Sequence, residues 1–426
     1  MLGANDRIGV GFIGYGLIGK QHVHTFKKQP DVDLVAVADV YQPRVEEGVA
    51  DCGPRAKGYG DFRRLLDNKD VQAVVISTPD HWHALMTILA CVAGKDVYVE
   101  KPLTLFVREG RWMVNAARRF NRVVQVGTQQ RSAAHYVTAL KLIREGHLGK
   151  IHTARAGAFR NVMPGFGRPL DSAPPPGLDY DLWLGPAPQR PYNPNRSLYH
   201  FRWFRDYSGG QMTNLGAHEL DIVQWAMQVN APRAVTSVGG RFALEDNGDT
   251  PDTQDALFEY PGFTALWSHR EASRGSGSGD RLEFFGTRGS LRITRRGFEV
   301  LPDEKRPPED FIPMFQGQPR GGPRHSGAKP EPWTQAVTET SPADPLEAHA
   351  RNFLDCIKTR ERPIADVEDG HRTATTCHLA NLSLDLGRKI HWDAEREDVI
   401  GDMEASARLE RPYRKPWDDL LRGLKL

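Results

Sequence analysis

Short apolar runs rich in Val, Ile and Ala recur through the first third of the chain, each followed by a longer stretch with apolar residues near helical spacing. "RIGVGFIG", "DLVAVADV", "VQAVVISTP", "DVYVEKP" and "RVVQVGTQ" read as strands. "GKQHVHTFKKQ", "HALMTILACVAGK" and "REGRWMVNAARRF" read as helices, the second stopped at Gly94. This alternation predicts an α/β domain over residues 1–131, a doubly wound parallel sheet of the dinucleotide-binding (Rossmann) type. After "YVTALKLIREGHLG", a connecting helix, the pattern changes. "KIHTARAGAF", "RAVTSVGGRFAL", "DALFEYPGFTALWSHR" and "RLEFFGTRGSLRIT" alternate apolar and polar, as half-buried antiparallel strands do. They predict an α+β domain over 132–426 with a large open, mainly antiparallel sheet. Two stretches, "DSAPPPGLDY" and Pro302 to Pro332, exceed a normal connection and suggest lids or interface arms. Two late helices, around "LEAHARNFLDCIKTRE" and "DGHRTATTCHLANLSLDLGRK", precede a polar tail.

Composition narrows the function classes. The 426 residues, 39% hydrophobic and 26% charged, suffice for two cores. A formal net charge of +2 leaves no electrostatic footprint for nucleic acid or an anionic membrane, so the expected partner is a small molecule. Cys52, Cys91, Cys356 and Cys377 lack any short paired spacing, which argues against a zinc knuckle, a redox pair or a disulfide framework. No apolar run approaches the length of a membrane span. "MLGANDRIGVGFIG" runs almost directly into a strand, so the chain as given reads as cytoplasmic.

"GFIGYGLIGKQH" places Gly14, Gly16 and Gly19 at G-x-G-x-x-G spacing between the first strand and the first helix, with Tyr15, Leu17 and Ile18 between them. Such glycines permit a tight turn, close approach of backbone to a pyrophosphate, and close helix packing. Asp39 ends the second strand twenty residues past Gly19, where a carboxylate accepts the adenosine-ribose hydroxyls and repels a 2'-phosphate. NAD is therefore expected over NADP, a preference that nearby Arg44 can soften. In "DVYVEKPLTL", an apolar strand stops abruptly at Glu100, Lys101 and Pro102. Ligands of such sheets sit beyond the carboxyl ends of the strands. There an ammonium can hold and polarise a substrate hydroxyl, and a carboxylate can hold nicotinamide-ribose hydroxyls. A surface ion pair followed by a turn proline is the plain alternative. A cis Lys101–Pro102 bond would fix the lysine's aim.

Together with the fingerprint, "YVEKPL" and "ISTPDHWHA" resemble the glucose-fructose oxidoreductase, inositol dehydrogenase and rhizopine-catabolism family, Gfo/Idh/MocA. The resemblance implies that Lys101 is the catalytic, substrate-holding lysine. It puts Thr78 and Pro79 on the nicotinamide side, counts His83 and Gln129 among the cofactor residues, and turns Arg131 toward substrate. The family's second signature appears as "GGQMTNLGAHELD", matching at Gly209, Gly210, His218 and Asp221, with Asn214 in place of the usual aspartate. His218 is the expected base, and Asn214, one helical turn away, is expected to orient it without charge, which makes a weaker base. Trp203 in "YHFRWFRDYSGG" suits stacking on a sugar ring and equally suits a core. His81 and His83 have the spacing for a metal but no partner motif, so no metal is expected. "YDLWLGPAP" and "FRWFRDYSGGQMTNLGAHELDIVQWAM" look like a bacterial branch whose members often carry an export leader just before "GANDRI", which implies a periplasmic alternative. The resemblance thus implies an NAD-dependent oxidoreductase acting on a secondary alcohol of a sugar, polyol or glycoside, as a homodimer or homotetramer. The alternative it leaves open is a redox-neutral, NAD-dependent glycoside hydrolase or lyase working through a transient keto-sugar.

Overall fold

The computed structural model describes residues 7–275, 281–305, 331–341 and 344–424. Most of the expected arm between Pro302 and Pro332 lies outside the described residues. The first half alternates strand and helix: β1 (Ile8–Ile13), α1 (Leu17–Lys27), β2 (Val32–Ala38), α2 (Gln42–Cys52), β3 (Lys57–Tyr59), α3 (Phe62–Leu66), β4 (Ala73–Ile76), α4 (His83–Val92), β5 (Asp96–Val99), α5 (Val107–Arg119) and β6 (Val124–Val126). The six strands pair in parallel in the order β3-β2-β1-β4-β5-β6. Every residue of β1, β4, β5 and β6 is buried, because helices cover both faces; this is why they read as unbroken apolar runs. The strand order reverses between β1 and β4, which opens a crevice beyond their carboxyl ends.

Helix α6 (Ala134–Arg144) leads into β7 (Ile151–Phe159), followed by α7 (Tyr180–Leu184), α8 (Gly210–Asn214) and α9 (Gly216–Met227). Then come β8 (Ala234–Gly240), β9 (Thr253–Tyr260), β10 (Phe263–Arg270), β11 (Arg281–Gly286), β12 (Gly289–Thr294), β13 (Gly297–Pro302) and β14 (Val337–Thr340). Helices α10 (Pro345–Thr359) and α11 (Val367–Leu386) and the short β15 (Ile390–Asp393) and β16 (Asp398–Val399) complete the architecture, before two short terminal helices. The sheet runs β14-β13-β12-β11-β7-β10-β9-β8-β15-β16, and among its described strands only β7 and β10 pair in parallel. Burial alternates along its strands: Phe258, Trp267, Phe284 and Leu291 point into a core shared with α9 and α11, while Leu257 and Leu266, cross-strand neighbours, are exposed on the other face.

The chain then returns to the first sheet. Ala350, Phe353 and Leu354 of α10 join the core around Phe12, Phe26 and Tyr98, and α11 packs on α5. Among the described residues no helix is long and apolar enough to cross a membrane.

Candidate active site

A cleft of about 350 Å³ opens at the carboxyl ends of β1, β4 and β5, with walls from both halves of the chain. Its turn is built for close backbone approach. Gly14 has φ +92, and a Cβ there would stand 2.8 Å from the Ser77 carbonyl oxygen; at Gly19 it would stand 2.2 Å from the Gly14 carbonyl oxygen. Gly16 faces the cleft instead, the nearest atom to its Cβ position being an Arg44 nitrogen at 3.6 Å. It sits at the N-terminus of α1, which has no side-chain cap. Asp39 is anchored by its own loop: Oδ2 accepts the Tyr15 backbone N–H at 2.7 Å and Oδ1 that of Tyr41 at 2.9 Å. Burial raises the Asp39 carboxyl, against the pull of Arg44 and these N–H donors. A glycine turn open to the cleft, an uncapped helix start and a carboxylate at the next strand end fit a dinucleotide. Leu17 and Ile18 also line the cleft, whereas Tyr15 does not: its backbone N–H goes to Asp39, its ring packs on Gly48 and its hydroxyl donates to Asp51.

Beyond β5, the Glu100 carboxylate meets His22 Nε2 of α1 at 2.7 Å through Oε1 and accepts the Lys101 backbone N–H at 3.1 Å through Oε2. Gly127 leaves it room, since a Cβ there would lie 2.8 Å from Glu100 Oε1. Burial works to raise Glu100, but the His22 hydrogen bond and the charges of His22 and Lys101 leave it below its ordinary value. The Lys101–Pro102 peptide is cis. His83 spans the same bend, Nδ1 at 2.8 Å from the Pro102 carbonyl oxygen and Nε2 at 2.9 Å from that of Thr78. Thr78, Pro79 and Gln129 line the cleft.

Lys101 Nζ donates to Asn214 twice, to the backbone oxygen at 3.0 Å and to Oδ1 at 2.9 Å. Asn214 Nδ2 donates to Gln211 Oε1 at 2.9 Å, and Gln211 Nε2 donates to Glu271 Oε1 at 3.0 Å. Glu271 is fully buried; it also takes the Trp203 indole N–H at 2.9 Å and pairs with Arg160. A carboxylate only accepts, so Gln211 presents its NH₂ to Glu271 and its oxygen to Asn214, and Asn214 in turn presents its oxygen to the ammonium. Burial brings the Lys101 pKa down to about 8; Glu100 opposes the shift, and Arg202 and Arg295 add to it. His218, 3% exposed, stands on the first turn of α9 and lines the same wall. Burial and the charges of Lys101 and Arg295 push its pKa well below 6.5, so the imidazole is neutral at pH 7.

Three expected placements need correction. Asn214 does not orient His218: its amide is held between Lys101 and Gln211, and the helix breaks at Leu215 between α8 and α9. Arg131 does not reach the cleft wall, because Asp221 binds it through two nitrogens at 2.8 Å and Asp369 through a third at 3.1 Å. Trp203 is buried behind the wall, with Arg160 over its ring and its indole N–H donated to Glu271, so of the two readings the core placement holds. The two histidines of "DHWH" diverge: His81 Nε2 meets the Trp183 carbonyl oxygen at 3.0 Å, and burial lowers its pKa to about 3. Among the described residues no group of three metal-ligand side chains converges. Sequence reasoning missed His22, Gln211, Glu271 and Arg295; Arg202 belongs to "YHFRWFRDYSGG", whose arginines suit polar forks beside a sugar. Gln211 lies three positions before Asn214 on one helix, whereas Glu271 follows the polar Ser268, His269 and Arg270 and carries no such signal.

A parallel sheet with this glycine turn and strand-end acid, facing a lysine and a neutral histidine, defines an oxidoreductase built around a bound dinucleotide. Residues 8–128 match the family model described as oxidoreductase family, NAD-binding Rossmann fold, and residues 155–238 with 332–419 match that of the oxidoreductase family C-terminal alpha/beta domain. The chain belongs to the Gfo/Idh/MocA oxidoreductase family. It is similar to a myo-inositol 2-dehydrogenase of Thermotoga maritima, 24% identical over 396 residues that cover 92% of this chain and 99% of that protein. A glycosyl hydrolase family 109 protein of Shewanella sp. is 34% identical over 154 residues, 34% of each chain. Among solved structures, levoglucosan dehydrogenase in complex with NADH and levoglucosan shares the fold at a TM-score of 0.68 and 19% identity, covering 90% of this chain and 99% of that one.

Proposed function

We propose that the protein is an NAD-dependent dehydrogenase oxidising a secondary alcohol of a sugar, polyol or glycoside. The observation that carries the reading is the pairing, on one cleft wall, of an ammonium held by amide oxygens, Lys101, with a neutral imidazole, His218. The turn from Gly14 to Gly19 and the start of α1 would hold the pyrophosphate, Asp39 the adenosine ribose, Glu100 the nicotinamide ribose, and Thr78, Pro79 and Gln129 the nicotinamide side. When bound, the nicotinamide supplies a hydride acceptor. Lys101 Nζ holds the substrate oxygen and stabilises the alkoxide as it forms; His218 Nε2 takes the hydroxyl proton and is free to do so at neutral pH. The Asp39 carboxylate disfavours a 2'-phosphate, which supports NAD over NADP.

The stretch of 34% identity to a glycosyl hydrolase family 109 protein favours keeping a second reading, in which NAD stays bound and the net reaction is glycoside cleavage through a transient keto-sugar. One experiment separates the two. Purified protein is offered NAD or NADP with a panel of sugars, polyols and aryl glycosides, and NADH and released aglycone are followed together. NADH accumulating with NAD, without aglycone, is expected. Aglycone without net NADH would replace the dehydrogenase with the hydrolase, and neither signal would remove both.

A further inference from the structure

Behind the cleft wall the fold pairs arginines with buried carboxylates. Arg131 goes to Asp221, Arg160 to Glu271 and Arg241 to Asp246, and each of these acids is nearly or fully buried. The three arginines that line the cleft itself, Arg44, Arg202 and Arg295, have no such partner among the described residues, and two of them stand at its substrate end. Arg202 lies half-buried on the turn before α8, its guanidinium carbon 4.6 Å from the Phe201 ring centre and its Nη1 donating to the Tyr199 backbone oxygen at 3.1 Å. Arg295 stands exposed at the tip of the β12–β13 hairpin and reaches the same wall. Among the described residues, no carboxylate lies within ion-pair distance of Arg202, Arg295 or Lys101, whose Nζ meets only amide oxygens.

The acids of that wall are already engaged. Asp80 is buried and accepts the Ser208 hydroxyl, and Glu100 is held by His22. Arg44 stands at the opposite end of the cleft, in electrostatic range of Asp39. The substrate end therefore gathers three cations, Arg202 and Arg295 each in electrostatic range of Lys101; Glu100 and Asp80 offset part of the charge from a distance, and no side chain neutralises it by direct contact. Stacking one face of a guanidinium on an aromatic ring leaves its N–H edges free for a planar or tetrahedral oxyanion, the partner its geometry fits best. A neutral sugar would leave both guanidinium groups without a direct counter-charge in a partly dry cleft, and a bound oxidised nicotinamide adds a further positive charge nearby.

We propose that the substrate is an anionic saccharide, and that Arg202 and Arg295 receive its carboxylate or phosphate while Lys101 holds the carbinol oxygen. This deepens the dehydrogenase reading and rests on it for the role of Lys101. The test is calorimetric titration of the full chain, saturated with NADH, with glucose, glucuronate and glucose 6-phosphate at low and high salt. At least one of the two anions is expected to bind about tenfold or more tightly than glucose at low salt, the scale of a hydrogen bond to a charged group, and to lose much of that advantage at high salt. Strengthening confined to glucuronate assigns a carboxylate, and strengthening confined to glucose 6-phosphate assigns a phosphate. Arg202→Gln with Arg295→Gln should collapse the ratio, and Arg295→Glu, on an exposed hairpin tip that tolerates substitution, should lower it on its own. Anions that bind no better than glucose, or not at all, overturn the assignment. NADH formation is read separately. A neutral sugar oxidised as efficiently as its acid removes the charge assignment and leaves the dehydrogenase standing; tight anion binding without NADH formation does the reverse.

Discussion

An aspartate in place of Asn214 would set a full negative charge where Oδ1 now stands, 2.9 Å from the Lys101 ammonium. An opposite charge at that distance favours the protonated lysine, so Asn214→Asp should move the Lys101 pKa up from about 8 by about one unit or more. The fall of kcat/KM at alkaline pH should move up with it. An alkaline limb that stays in place while an acidic limb rises would return Asn214 to the histidine instead. The difference is a matter of one residue: spacing of four places two side chains on one face only while the helix is continuous, and here it breaks at Leu215. The glycine turn, Asp39, Glu100 and Lys101 were legible because each motif is contiguous and sits where a strand must end. Arg131 and Trp203 were misplaced because the carboxylates that claim them, Asp221 and Glu271, are distant in sequence.

At the scale of elements, α10 is fastened to the loop before β2 by charge. Arg351 donates to both oxygens of Asp31 at 2.7 and 2.9 Å, and Lys358 adds a second cation. The Arg351 hydrogen bond comes first in holding the Asp31 carboxyl well below its usual range. A depressed carboxyl contributes stability that is fully present above its unfolded pKa of about 4 and is lost as pH falls toward the folded value. Arg351→Gln should therefore lower unfolding free energy at pH 7 by about 1.5–3 kcal/mol, the range for a hydrogen bond to a charged group. The deficit should shrink by pH 3. Urea unfolding at the two pH values reads it, and an equal deficit at both would assign the loss to packing. Strands β1, β2, β4, β5 and β6 were legible as apolar runs, whereas β3, with two of its three residues exposed, carries no such pattern. Alternation marked β7 and β10 as half-buried but says nothing of direction, so their parallel pairing was not readable.

Over the whole molecule, the centre exists only because two distant segments meet. Lys101 comes from the end of a parallel strand and bonds Asn214 of the second half, and His218, from the next helix of that half, lines the same cleft. The sequence marked both residues, yet their meeting depends on α10 and α11 folding back on the first sheet, a long-range contact that no local period encodes. The central claim is that Lys101 works as an ammonium and His218 as a neutral base. The pH dependence of kcat/KM for the sugar at saturating NAD tests it most directly. With His218 well below 6.5 and Lys101 near 8, the profile should stay flat from about pH 6.5 to 7 and fall with a midpoint near pH 8, with Lys101→Met losing the alkaline limb and most of the activity. A profile that instead rises through pH 8 would make the unprotonated lysine the base and contradict the account.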